Sequence, residues 1–277
     1  MKFLPDNIRK VFCKLLGTAC SLAVLLSPGI AQAAADPDKV YRAYFPAAED
    51  GFDPVEFASL YSSIVSEAIF ERLLTYDYLA RPAKVVPMVA EFLPEVSGDG
   101  RTYIFKLKKG IFFTPDPAFN GKPRELVAGD FVYSFKRFMD PKLHSPWQFL
   151  LEGKITGLDE LATEAQKSGR FDYDKNIDGL TAVDNYTLRI RLKAPDYNFN
   201  YIMAHASFGA LAREVVEAYN KDIIAHPVGT GAYLLKEWKR RNRIVLEANP
   251  GYRGFIWNFK SSGDPADEQL IREMQGK

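Results

Sequence analysis

Residues 227–238 read PVGTGAYLLKEW, and the paired glycines in Gly229-Thr230-Gly231 raise the question of a phosphate cradle. A dinucleotide-binding turn needs a third glycine with a helix opening after it, and a Walker loop needs Lys-Ser/Thr after its last glycine. Here Ala232-Tyr233-Leu234-Leu235 follows, which alternates as a strand does. The glycines therefore read as backbone freedom, a tight or left-handed segment ahead of a hairpin strand. RIVLEAN (243–249) is a second strand, and KRRN (239–242) turns the two into an antiparallel hairpin. Trp238 is expected to pack against the core.

Working outward, VYRAYF (40–45) reads as a short strand, and PAAEDGFDP as a turn-rich connection. LYSSIVSEAIFERLL carries a helical stripe of Leu60, Ile64 and Ala68 beside Val65, Ile69 and Leu73, which such spacing places on the core. TYIFKLKKGIFF (102–113) alternates as a half-buried strand. LVAGDFVYSFKRFMDP (126–141) is a helix with Phe131, Phe135 and Phe138 on one face, stopped at Asp140-Pro141. TLRIRL (187–192) is another strand. Strands and helices mix without regular βαβ alternation, and no internal repeat is present.

The first 33 residues carry Lys2, Arg9, Lys10 and Lys14, then the apolar run LLGTACSLAVLL and Ala31-Gln32-Ala33, the pattern of a cleavable export signal. Without them 32 basic residues face 34 acidic ones, a formal charge of −2, so no basic surplus argues for nucleic acid. Both cysteines, Cys13 and Cys20, leave with the signal, and no thiol or disulfide chemistry remains.

Chemistry-bearing constellations are sparse. His144, His205 and His226 are isolated, outside any metal-ligand spacing, so neither a metal nor a cofactor is called for. No GxSxG elbow and no carboxylate pair of suggestive spacing occurs, and Glu67 and Glu71, four apart, read as a solvated or cap-linked face. Trp147, in the loop SPW, suits either a half-buried packing role or the wall of a ligand cleft.

DP (53–54), YIFKLKKGIFF, AGDFVYSFKRFMDP, PVGTGAYLLKEW and RIVLEANPGYRG, in this order, resemble the bacterial extracellular solute-binding proteins of the peptide, dipeptide and nickel type, family 5. The resemblance spans the chain from about residue 40. It implies an α/β (mixed α+β) clamshell of the type II periplasmic binding kind, with 34–70 and 213–277 in lobe I and 71–212 as a domain inserted into it. It also implies a second lobe beyond the NPGY stretch. The chain ends at Lys277, so the second lobe is expected to be missing, through a fragment or a truncated gene.

Function, by the same resemblance, is non-enzymatic. A peptide or other small solute is captured in the periplasm by a monomer and handed to the permease subunits of an ABC importer. Trp147 matches a position where peptide binders place an aromatic residue against the ligand, and His205 falls near another position beside the cleft. Where those binders carry an acid for the ligand's amino end, EFASLYSS puts Ala58, with Glu56 close by. The alternatives are an interaction-only or functionless fragment and an exported enzyme domain.

Overall fold

In the computed structural model, Ser59 opens the first helix, α1 (Leu60–Ile69), its side chain accepting from the Tyr61 amide at 3.2 Å. The structure describes residues 39–261 and 263–274. The export signal read in residues 1–33 lies outside them. Only one side of the α1 stripe is core. Val65 and Ile69 are buried, whereas Leu60 and Ile64 are 66% and 48% exposed, because no element covers that flank among the described residues. The helix also stops short of FERLL. Phe70 is extended, and Leu74 opens β1 (Leu74–Tyr76), paired antiparallel with β2 (Val85–Pro87). Residues 40–45 form no strand: their aromatic and β-branched side chains favour one, but no ladder partner is supplied.

The central sheet is antiparallel throughout. It consists of β3 (Glu95–Val96), β4 (Thr102–Lys106), β5 (Leu180–Asp184) and β6 (Thr187–Arg191), in the order β3-β4-β6-β5. The alternation expected of 102–113 holds at Tyr103, Phe105 and Leu107, all buried. The strand is shorter than the pattern because Gly110, at φ +74, turns the chain away. Helix α2 (Ala128–Arg137) packs on β5 and β6, with Phe131, Phe135 and Phe138 all at 0% exposure. Each such ring contributes about 1.5–3 kcal/mol by burial. The α2 start is held by the Val127 amide donating to the Asp130 carboxylate at 2.8 Å. Helix α3 (Leu158–Ser168) buries Leu158, Leu161, Ala162 and Ala165 and ends at Gly169, φ +71.

The hairpin after the glycines is β7 (Tyr233–Lys239) with β8 (Arg243–Ala248), antiparallel, turned through Arg241 at φ +60. Trp238 packs on Phe52, ring centroids 4.8 Å apart, and its indole donates to Glu49 at 2.7 Å. The glycines before the hairpin are not left-handed. A Cβ on Gly229 would lie 2.1 Å from the Ile69 carbonyl oxygen, and one on Gly231 2.6 Å from that of Ala68. Close approach to the end of α1 is what requires glycine there, and the Gly231 amide seals it by donating to Ile69 O at 2.8 Å. Asn249 closes the other side, its side chain donating to Gly231 O at 2.8 Å.

Glu71 joins these pieces. It is 1% exposed, takes both Nη groups of Arg253 at 2.6 Å and accepts from Thr230 Oγ1 at 3.0 Å. The reading of a solvated Glu71 is thus overturned: the turn after α1 carries it inward, off the helical face that its spacing from Glu67 implies. From Arg42 onward the chain is one compact unit with one continuous core, in which Phe52 and Ile69 join Phe131 and Phe208.

Candidate functional site

The site begins from a buried ion pair. Asp53, at 0% side-chain exposure, faces Arg137, at 3%, through two parallel bonds of 2.9 and 2.8 Å. Burial opposes the charge on Arg137, but the Asp53 carboxylate outweighs it and holds the guanidinium above the ordinary arginine range. Asp53 also shapes its own turn. Its side chain accepts from the Val55 amide, and its carbonyl accepts from those of Glu56 and Phe57. The 53–57 segment is therefore fixed to the last residue of α2.

Onto that segment docks the loop after α2. Ser145 Oγ donates to Val55 O at 2.6 Å, and Trp147 Nε1 donates to Phe57 O at 2.7 Å. Trp147 is half-buried, and its ring lies 4.4 Å from that of His205 and 6.4 Å from that of Phe149, which is 60% exposed. His205 caps the turn Ala206–Phe208, its Nδ1 accepting from the Ser207 amide at 3.3 Å, so the neutral ring carries its proton on Nε2. Phe208 beneath is fully buried against Phe135 and Phe138. The result is a shelf of aromatic faces on a rigid floor.

The structure therefore brings Trp147, His205 and the 55–58 backbone together. Glu56 and Ala58 are both exposed and flank the buried Phe57. Desolvation first, and then the Asp53 charge, raise the Glu56 carboxyl, against a smaller pull from Arg137. Ala58 commits its amide to Asp50 at 2.8 Å and presents only a methyl. The sequence alone did not mark Arg137, which fixes the 53–57 segment. A charged residue between Phe135 and Phe138 on an aromatic helix was the available signal for Arg137.

Desolvation, then the charge of Arg72, depresses His205 below its ordinary 6.5. The unfolded chain thus takes up this proton before the folded one does, so stability rises with pH between the depressed value and 6.5 and is level above it. Urea unfolding at pH 7.5 and pH 5 should show a larger acid loss in the native chain than in His205→Asn, which keeps a capping side chain. Equal losses would contradict the assignment.

Two surface hollows lie elsewhere. One of about 570 Å³ is lined by Lys106, Lys109, Asp184 and Tyr186 among others, and one of about 310 Å³ by Asp140, His144, Arg170 and Phe171 among others. Neither includes Trp147 or His205. The shelf presents adjacent aromatic faces, and the hydrogen bonds of Trp147 Nε1 and His205 Nδ1 close within the protein.

The family model described as Bacterial extracellular solute-binding proteins, family 5 Middle, matches residues 84–269. The periplasmic oligopeptide-binding protein OppA of Escherichia coli K12 is 31% identical over 209 residues, covering 74% of this chain and 34% of OppA. The glutathione-binding protein GsiB of Escherichia coli O1:K1 / APEC is 28% identical over 72% of this chain and 32% of its own. Among solved structures, the murein tripeptide binding protein MppA of Escherichia coli superposes with a TM-score of 0.59 at 30% identity, covering 74% of this chain and 37% of MppA. The chain spans about a third of the length of the curated relatives it matches.

Proposed function

We propose a role in non-covalent solute capture for this chain, which belongs to the bacterial extracellular solute-binding proteins of family 5. Its fold is mixed α/β, shared with the type II periplasmic peptide-binding proteins. Its relatives are binding proteins, among them the periplasmic OppA. On this reading the chain contributes one wall of a peptide-binding cleft in the periplasm, for delivery to an ABC permease. Lobe I comprises 34–70 and 213–277, and 71–212 is the domain inserted in it.

The observation that carries the reading is the Trp147–His205 pair, centroids 4.4 Å apart, seated on the 55–57 backbone. Trp147 Nε1 and His205 Nδ1 are bonded to the protein, leaving the aromatic faces for a ligand. A large rigid face of this kind adds contact at little entropic cost. Glu56 and Ala58 form its rim.

Titrating the chain with tri-alanine by isothermal calorimetry tests the proposal. Trp147→Ala should weaken binding by about tenfold or more, as loss of an aromatic anchor does. Unchanged affinity in that variant, or no uptake by the native chain, would overturn the reading.

A further inference from the structure

Glu67 and Arg72 lie where two segments meet beside the shelf. Helix α1 packs on the 206–208 turn that His205 caps. Directly after that turn, a Cβ on Gly209 would come 2.6 Å from Phe70 Cβ, and the Ala210 amide donates to Glu71 O at 3.2 Å. The stretch from Glu67 to Arg72 therefore runs against the segment that bears His205, whose ring touches Trp147.

The pair is asymmetric. Arg72 is only 6% exposed, donating through Nη1 to Glu67 Oε1 at 2.7 Å and through Nη2 to Thr75 Oγ1 at 3.2 Å. The Glu67 side chain is 48% exposed. The cation is thus covered and its carboxylate partner faces outward, pinned by a planar fork whose orientation is already set. A surface glutamate ordinarily pays rotamer entropy to hold one geometry, and Arg72 has met that cost before any ligand arrives. Glu56, also exposed and next to the Phe57 carbonyl that Trp147 binds, has the same sign. His205 adds no opposing charge at neutral pH, since burial keeps it neutral.

We propose that Glu67, with Arg72 as its positioning residue, is the specificity-determining carboxylate that receives a cationic group, an ammonium or guanidinium, on a ligand lying against Trp147 and His205. This rests on the solute-capture reading above. A cation at that position meets the outward carboxylate and an aromatic face that attracts positive charge. Of the two charges, the Glu67 carboxylate is the one a group arriving from solvent can reach, since Arg72 is covered.

The test uses the full chain, ¹⁵N-labelled, with the Trp147 indole resonance as reporter, and two tripeptides that differ by one ammonium. These are Ala-Lys-Ala and Ala-norleucine-Ala. The native chain should bind the lysine peptide about tenfold more tightly, as for a desolvated charge pair. Glu67→Gln should bind both with the norleucine affinity. Arg72→Met should lose the lysine preference while leaving the norleucine affinity unchanged, which a merely structural role would not do. Glu67→Asp, which keeps the charge and the fold, should retain part of the preference. Equal binding of both peptides by the native chain, or an intact preference in Glu67→Gln, overturns the proposal while leaving solute capture standing. If neither peptide moves the Trp147 resonance, solute capture at the shelf fails and the proposal falls with it.

Discussion

Asp53→Ala is expected to cost about 3–5 kcal/mol of folding stability, the range for breaking a buried ion pair from one side. The cause is what it leaves behind. Arg137 has 3% of its side chain exposed and makes both of its guanidinium bonds to Asp53, so removal of the carboxylate strands a charge in the core. The same substitution frees the 53–57 turn, because the Asp53 side chain also accepts from the Val55 amide. Against a typical total of about 5–15 kcal/mol, the loss is a large fraction. Urea unfolding followed by circular dichroism would measure it. The double variant Asp53→Asn/Arg137→Met should recover much of the loss, since it removes the pair, keeps the volume and leaves an oxygen for the Val55 amide. A single-variant loss below about 1 kcal/mol, the value of an exposed pair, would contradict this account.

Gly229→Ala is the second large effect, with an expected cost of about 3 kcal/mol. The new Cβ would be placed 2.1 Å from Ile69 O and 2.7 Å from Ile69 C, both backbone atoms that no rotamer can move aside. Neither segment can simply retreat. Gly229 O accepts from the Thr114 amide at 2.9 Å, and the Gly231 amide is bonded to Ile69 O. Relief therefore sacrifices hydrogen bonds or undocks the β7–β8 hairpin from α1. Near-ultraviolet circular dichroism should lose part of the Trp238 signal, because that ring leaves Phe52 when the hairpin moves. Gly251→Ala serves as the control, its nearest neighbour being Asn249 Oδ1 at 3.4 Å. Equal behaviour of the two variants would show that close approach is not the reason for Gly229.

Sequence patterns carry structural information within single elements and lose it between them. Local periodicity was legible: Phe131, Phe135 and Phe138 on one helix face, Tyr103, Phe105 and Leu107 on one strand face, and the hairpin after the glycines. Each depends on spacing within a single element. The glycines showed that the backbone needed room, but a positive φ and a close neighbour leave the same letter in the sequence. Choosing between them takes the position of Ile69, some 160 residues earlier in the chain. Asp53 and Arg137 are 84 residues apart, and Glu71 and Arg253 are 182 apart, so no local pattern joins them. Leu60 and Ile64 failed in the opposite sense: a helical stripe says which residues share a face, and only neighbouring elements decide whether that face is covered.

The site was legible only through resemblance. Trp147 alone left open a packing role or a ligand wall. In the fold its indole nitrogen packs, bonded to Phe57 O, while its ring lies half open beside His205. Glu67 looked like any solvated helix residue, because the arginine that holds it lies past the helix end, where the chain has changed direction.

On the proposed reading, ligand is received on the Trp147–His205 shelf. Hydrogen–deuterium exchange of the full chain with and without saturating tri-alanine locates binding directly. Slowed exchange should concentrate in 55–59, 147–151 and 205–208. Protection confined to 106–109 and 184–187, around the larger hollow, or no protection at all, would contradict the claim.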